Sequence, residues 1–178
     1  AFGSTLANEG IFRIGNIASS NNGISLASSA SLNNQLTGMI EIDAISINHG
    51  IQVSLSATFN NAGLIRIGTS TAINKFGISL ATSGDFNNNA PGLIEINNCL
   101  DIGINMTNSG STFINGATIH LGNLSAITNT GLSLTGSAVF GNAATGLLSI
   151  NRTTGYAAMV NNNLAVFNNF GTVRLGDL

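Results

Sequence analysis

The sequence predicts an all-β chain wound as a parallel β-helix, a solenoid of stacked three-strand rungs, and three observations carry that expectation. A Phe or Leu followed two residues later by Asn recurs at starts 6, 32, 59, 86, 113, 140 and 167. Each copy leads into a short run where apolar and polar residues alternate, as in "LIRI" at 64–67. The composition suits strands and turns, with 22 Gly, abundant Asn and Ser, and only 7% charged residues, far below the usual share.

The starts are spaced by 26 and then five times by 27 residues. Such a period decides architecture before any local feature does. A propeller blade needs a longer unit, and a leucine-rich repeat needs an "LxxLxLxxN" signature that these units lack. A helical repeat needs helix formers, which are scarce here. The 178 residues therefore hold roughly six and a half rungs, expected as one domain over 1–178. At the strand spacing of ~4.8 Å they make a rod on the order of 30 Å long.

Each rung holds three alternating runs, the period-2 signature of strands. The first ends on the aromatic start position, as in Ala57-Thr58-Phe59, Gly84-Asp85-Phe86 and Ala165-Val166-Phe167. The second pairs inward residues: Phe12/Ile14, Ile40/Ile42, Ile65/Ile67, Ile94/Ile96, Ile119/Leu121, Leu148/Ile150 and Val173/Leu175. The third is the "GISL" run: Ile24/Leu26, Ile51/Val53, Ile78/Leu80, Ile104/Met106, Leu132/Leu134 and the weaker Ala158/Val160. Like residues then stack on like, and neighbouring rungs supply one another's core.

The recurring Asn residues, Asn8, Asn34, Asn61, Asn88, Asn115, Asn142 and Asn169, are expected to form a ladder. Each amide donates to the carbonyl of its copy on the next rung. Asn also tolerates the left-handed backbone of a sharp corner. The Gly residues before the second run (Gly10, Gly38, Gly63, Gly92, Gly146 and Gly171, with Ala117 as the exception) are expected to do similar corner work.

Alternate rungs differ. Odd units run "NNAG" and even units insert two residues, as in "NNQLTG". The full repeat is thus two rungs, or about 54 residues. The outward position of the second run follows the alternation: Arg13, Glu41, Arg66, Glu95, His120, Ser149, Arg174. Stacked in line, alternating signs attract, which helps register more than stability. Beside this charge ladder lies the outward column Ile11, Met39, Leu64, Leu93, Thr118, Leu147, Thr172. Its apolar members, Ile11, Met39, Leu64, Leu93 and Leu147, are a candidate lateral interface.

The search for chemistry turns up little. The acids are Glu9, Glu41, Asp43, Asp85, Glu95, Asp101 and Asp177. Glu41 and Glu95 read as ladder members, Asp43 as a turn residue stacked on Gly68 and Asn97, and Asp85 and Asp101 as lacking partners in neighbouring rungs. A carbohydrate-cleaving site needs convergent carboxylates, so no enzyme is expected. His49 and His120 fall in different columns, and no calcium-loop, "GxSxG" or phosphate-loop pattern occurs. No metal or cofactor is expected. An ice-binding face would need an outward Thr array, but the column Thr5, Ser31, Thr58, Asp85, Thr112, Val139, Val166 is broken. Cys99 is alone, so no internal disulfide forms, and it reads as a small buried residue. Five basic and seven acidic residues without a basic run argue against nucleic acid. No apolar stretch is long enough to span a membrane.

The "F-N-N-x-G-L-I-x-I" units resemble the repeat regions of large bacterial surface and secreted proteins, the filamentous-haemagglutinin-like adhesins and autotransporter passenger domains. The resemblance covers nearly the whole chain and rests on repeat style. It implies a right-handed parallel β-helix, an extracellular or cell-surface location and an extended structural or adhesive role. It transfers no functional residue. The repeat is intact at both ends, so a segment of a longer fibre is expected, with the chain itself as partner through head-to-tail or lateral assembly. Other readings are a carbohydrate-binding or carbohydrate-cleaving β-helix, with surface glycans as ligand, and a phage-type trimeric fibre.

Overall fold

The computed structural model describes residues 3–15, 22–45, 47–107 and 110–176. Over these residues the chain is a parallel β-solenoid of three sheets with seven, seven and six strands, and no helix. The strands Thr5–Asn8, Ile11–Ile14 and Asn22–Leu26 open the three sheets in turn. One rung on, Ser31–Asn34, Met39–Ile42 and His49–Val53 pair with them in parallel. The same winding repeats to Thr172–Leu175. Each first- and second-sheet strand from Ser31 to Ile96 alternates half-buried with buried positions, as period-2 patterning requires.

Register is kept position for position. The start column runs Leu6, Leu32, Phe59, Phe86, Phe113, Phe140, Phe167. Its rings stack with centroids 4.6 Å apart between Phe59 and Phe86 and 4.7 Å between Phe86 and Phe113. That spacing is the strand spacing itself, so identical rings have no choice but to stack face to face with an offset. The pairs read in the second and third runs form four further inward columns. One more, not anticipated, fills the corner between the second and third sheets: Ile45, Ile73, Cys99 and Ile127 are all fully buried, and Ile73 bridges to Cys99. Cys99 thus takes the place of an Ile, and burial pushes its thiol pKa well up, which leaves it inert as a nucleophile.

The corners correct one expectation. None of the ladder Asn residues has a left-handed backbone; each ends a first-sheet strand with an inward side chain. Left-handed positions lie elsewhere, among them three consecutive pairs: Ser28 and Ser29, Leu55 and Ser56, Thr82 and Ser83. Each pair closes a turn, with Ala30 donating to Ala27 O, Ala57 to Ser54 O and Gly84 to Ala81 O at 3.1 to 3.2 Å. Two successive positive φ values make the tight turn that carries the chain round the corner from the third sheet into the first sheet of the next rung.

The Gly residues beside the ladder also work differently from the expectation. A Cβ on Gly63 would collide with Gly38 O, and one on Gly38 would collide with Asn34 Oδ1. Gly is required there because neighbouring rungs approach so closely, while φ stays in the ordinary region.

The two-rung repeat is present. In even rungs Gly38, Gly92 and Gly146 close hydrogen-bonded turns on Gln35, Asn89 and Ala143. Odd rungs pass the same corner with one residue, such as Ala62 between Asn61 and Gly63. They recover the length at the next corner, where residues 68–75 link the second and third sheets and 97–101 suffice one rung on.

Candidate functional site

The inner asparagine ladder is continuous. Asn8 Nδ2 donates to Asn34 Oδ1, Asn34 to Asn61, Asn61 to Asn88, Asn88 to Asn115, Asn115 to Asn142 and Asn142 to Asn169, each at 2.8 Å. The second amide hydrogen reaches a main-chain carbonyl at the neighbouring corner. Asn88 Nδ2 meets Thr118 O and Asn115 Nδ2 meets Leu147 O, both at 3.1 Å. Asn34, Asn61, Asn88, Asn115 and Asn142 are buried. Buried amides need all their bonds made, and a column of copies at strand spacing, together with the corner carbonyls, satisfies them.

A second amide ladder lies one residue earlier on the same strands, facing outward. Asn60 Nδ2 donates to Asn33 Oδ1 and Asn87 Nδ2 to Asn60 Oδ1, both at 2.9 Å. Donation runs back toward the N-terminal rungs, opposite to the inner ladder. The column continues as Ile114, Gly141 and Asn168, so the ladder stops after three rungs. The repeated "NN" dipeptide was its sequence signal.

The charge column is in register through every rung from Arg13 to Arg174. Ion pairs join its first four members: Arg13 Nε to Glu41 Oε2, Arg66 Nη1 to Glu41 Oε1 at 3.8 Å, and Arg66 Nε to Glu95 Oε2 at 2.8 Å. His120 does not extend the series as expected. It stacks on Glu95 in register, but its Nδ1 is buried without a hydrogen-bond partner. Ser149 then separates it from Arg174.

The adjacent column places Ile11, Met39, Leu64, Leu93 and Leu147 on the outer side of the second sheet. Met39, Leu64, Leu93 and Leu147 are half-buried by their stacked neighbours, and Ile11 on the first rung is exposed. The charged and apolar columns therefore share one flat face, two residues apart along each strand.

The remaining polar groups serve corners. Asp43 accepts from Thr69 N at 2.8 Å and from Thr69 Oγ1 at 2.9 Å, and Asn97 Oδ1 accepts from Leu124 N at 2.8 Å, as a turn position two rungs apart should. Asp101 corrects the reading that it lacks a partner: Asn129 Nδ2, one rung on, donates to it at 3.0 Å. Asp177 lies outside the described residues. His49 stacks on Phe76 with ring centroids 4.7 Å apart and planes nearly parallel, and Lys75 lies over the Phe76 ring. Burial first, and the Lys75 charge second, lower its pKa to about 4.

Among the described residues no cleft is found, and no group of three or more His, Cys, Asp or Glu is placed to hold a metal ion. No helix is long and apolar enough to cross a membrane. The chain matches no family model, no curated protein and no solved structure.

Proposed function

We propose that the chain is a structural, non-catalytic extracellular solenoid, part of a bacterial surface filament, sheath or adhesin stalk. It works by stacking rung on rung, and it engages other copies of itself. The observation that carries this reading is the inner ladder: one amide recurs at identical register from the first described rung to the last, beside a column that is Leu in the first two rungs and Phe from Phe59 to Phe167. A chain under selection for a binding pocket varies its rungs where the ligand sits. Here variation falls mainly on corner length and on outward positions, which is what a uniform stiff rod requires. Glu41 and Glu95 are taken up by ion pairs, and Asp43 and Asp101 by corner hydrogen bonds.

Immunogold electron microscopy of intact and permeabilised source cells tests the proposal. Label on thin rods outside the envelope is expected. Label confined to permeabilised cells would overturn it.

A further inference from the structure

We propose that the outer face of the second sheet is a lateral contact between two copies of this chain laid antiparallel, related by a two-fold axis along the strands. The proposal rests on the reading of the rod as an assembling structure and specifies the partner and its orientation.

The argument begins with the two columns of that face. On the first four rungs one column is wholly apolar, Ile11, Met39, Leu64 and Leu93, and the other alternates in sign, Arg13, Glu41, Arg66 and Glu95. Within each strand the two lie two residues apart, ~7 Å. Two copies can bring this face together with strands in line in two ways.

With the rods parallel and the two-fold axis along the rod, each rung meets the same rung of the second copy. Arg66 then stands level with Arg66, and the columns exchange sides, so apolar residues cover charges. With the rods antiparallel and the axis along the strands, the columns keep their sides and only rung order reverses. Apolar then meets apolar, and charge meets charge.

The alternation next selects the register. An axis passing through the third rung sets Arg66 against Arg66. An axis between the second and third rungs sets Glu41 against Arg66 of the second copy and Arg13 against Glu95. In the other column Met39 meets Leu64 and Ile11 meets Leu93. Every facing pair is complementary, and the contact is isologous. The charges already pair within each rod, so the contact completes a chequerboard in which each carboxylate has guanidinium neighbours on both molecules. Such an arrangement gives orientation and excludes the wrong registers more than it adds affinity. Four rungs and two columns cover a few hundred Å², below the roughly 800 Å² per partner of a stable complex. The pair therefore forms at high protein concentration or between long rods, where many weak contacts add.

Charge reversal tests the register, because each variant should repel itself and attract the other. Glu41→Arg sets two guanidinium groups together twice across the two-fold, the new one facing Arg66 of the second copy, and Arg66→Glu sets two carboxylates together twice. Sedimentation velocity and small-angle X-ray scattering over a concentration series should show wild-type rods pairing side by side, doubled in cross-section over the four shared rungs and longer than one rod because the three rungs beyond the fourth overhang at each end. Each variant alone should associate about tenfold more weakly, and the equimolar mixture should recover wild-type association. A fold defect cannot produce that recovery. Should a reversal fail to fold, Leu64→Ser removes the central apolar contact and should weaken wild-type pairing about tenfold by the same measurement. A mixture no better than its components, pairing unchanged by Leu64→Ser, or a wild type monomeric at every concentration would overturn the proposal. Growth in length alone would overturn it too, while leaving the surface-filament reading intact. Label confined to permeabilised cells would overturn that reading without touching this one.

Discussion

Two asparagine columns climb the same strands one residue apart, and they fare differently. The inner one, Asn8 to Asn169, holds six hydrogen bonds of 2.8 Å without a gap. The outer one bonds Asn33, Asn60 and Asn87 and then gives way to Ile114 and Gly141. The side chain and the strand spacing are the same, and the difference that sets the cost of a gap is burial. A missing inner amide strands a donor below and an acceptor above where water cannot reach them. A missing outer amide exposes its neighbours to solvent, which replaces the bond at little cost. Repetition is strict where the alternative is an unsatisfied buried group, and loose where water substitutes.

The sharpest break of that comparison is Asn88→Leu. It leaves Asn61 Nδ2 and Asn115 Oδ1 without their ladder partners, and a loss of about 4 kcal/mol in urea unfolding is expected from two stranded buried groups. His49 separates burial from repetition, because it is buried but has Asn22 and Phe76 as stacked neighbours rather than copies of itself. The unfolded chain takes up the imidazole proton below about 6.5, whereas the folded one holds out until about 4. The unfolded state therefore binds more protons in that window, and stability falls as pH drops through it. Melting temperature against pH should show this slope, and His49→Phe should flatten it. Glu41→Gln weakens two ion pairs on the half-exposed charge column. Its cost should be about 1 kcal/mol or less and should vanish in high salt, as a salt series of melting curves would show. Asn87→Ala, on the outer ladder beside Asn88, should cost only a few tenths of a kcal/mol. A large loss there, comparable to Asn88→Leu, would refute the view that burial makes the difference.

Much of this was legible in the chain itself. The spacing of the Asn residues and the apolar pairs at "LIRI" and "GISL" gave three strands per rung, and each predicted inward pair lies in its column. The double repeat was legible because two inserted residues must appear as a turn, and they do at Gln35–Gly38. The third-sheet Gly column was not singled out, although a Cβ on Gly50 would lie 2.7 Å from Gly77 O. Neither was the column shared by Ile73 and Cys99, because its members sit in corners of unequal length and lose their phase in the sequence. The left-handed pairs at Ser28, Leu55 and Thr82 were missed for a related reason. Ser, Leu and Thr carry no preference for that backbone, so nothing local marks the turn that the neighbouring rungs impose.

The sequence by itself determined the period, the register and which residues face inward, because a strand alternates and a stack repeats, and both periods are written in residue order. Only the tertiary structure decided which way each amide ladder donates, why Gly stands beside the ladder, and where the ion pairs stop. Those outcomes depend on distances between rungs about 27 residues apart and on side-chain reach across them, and residue order alone contains neither.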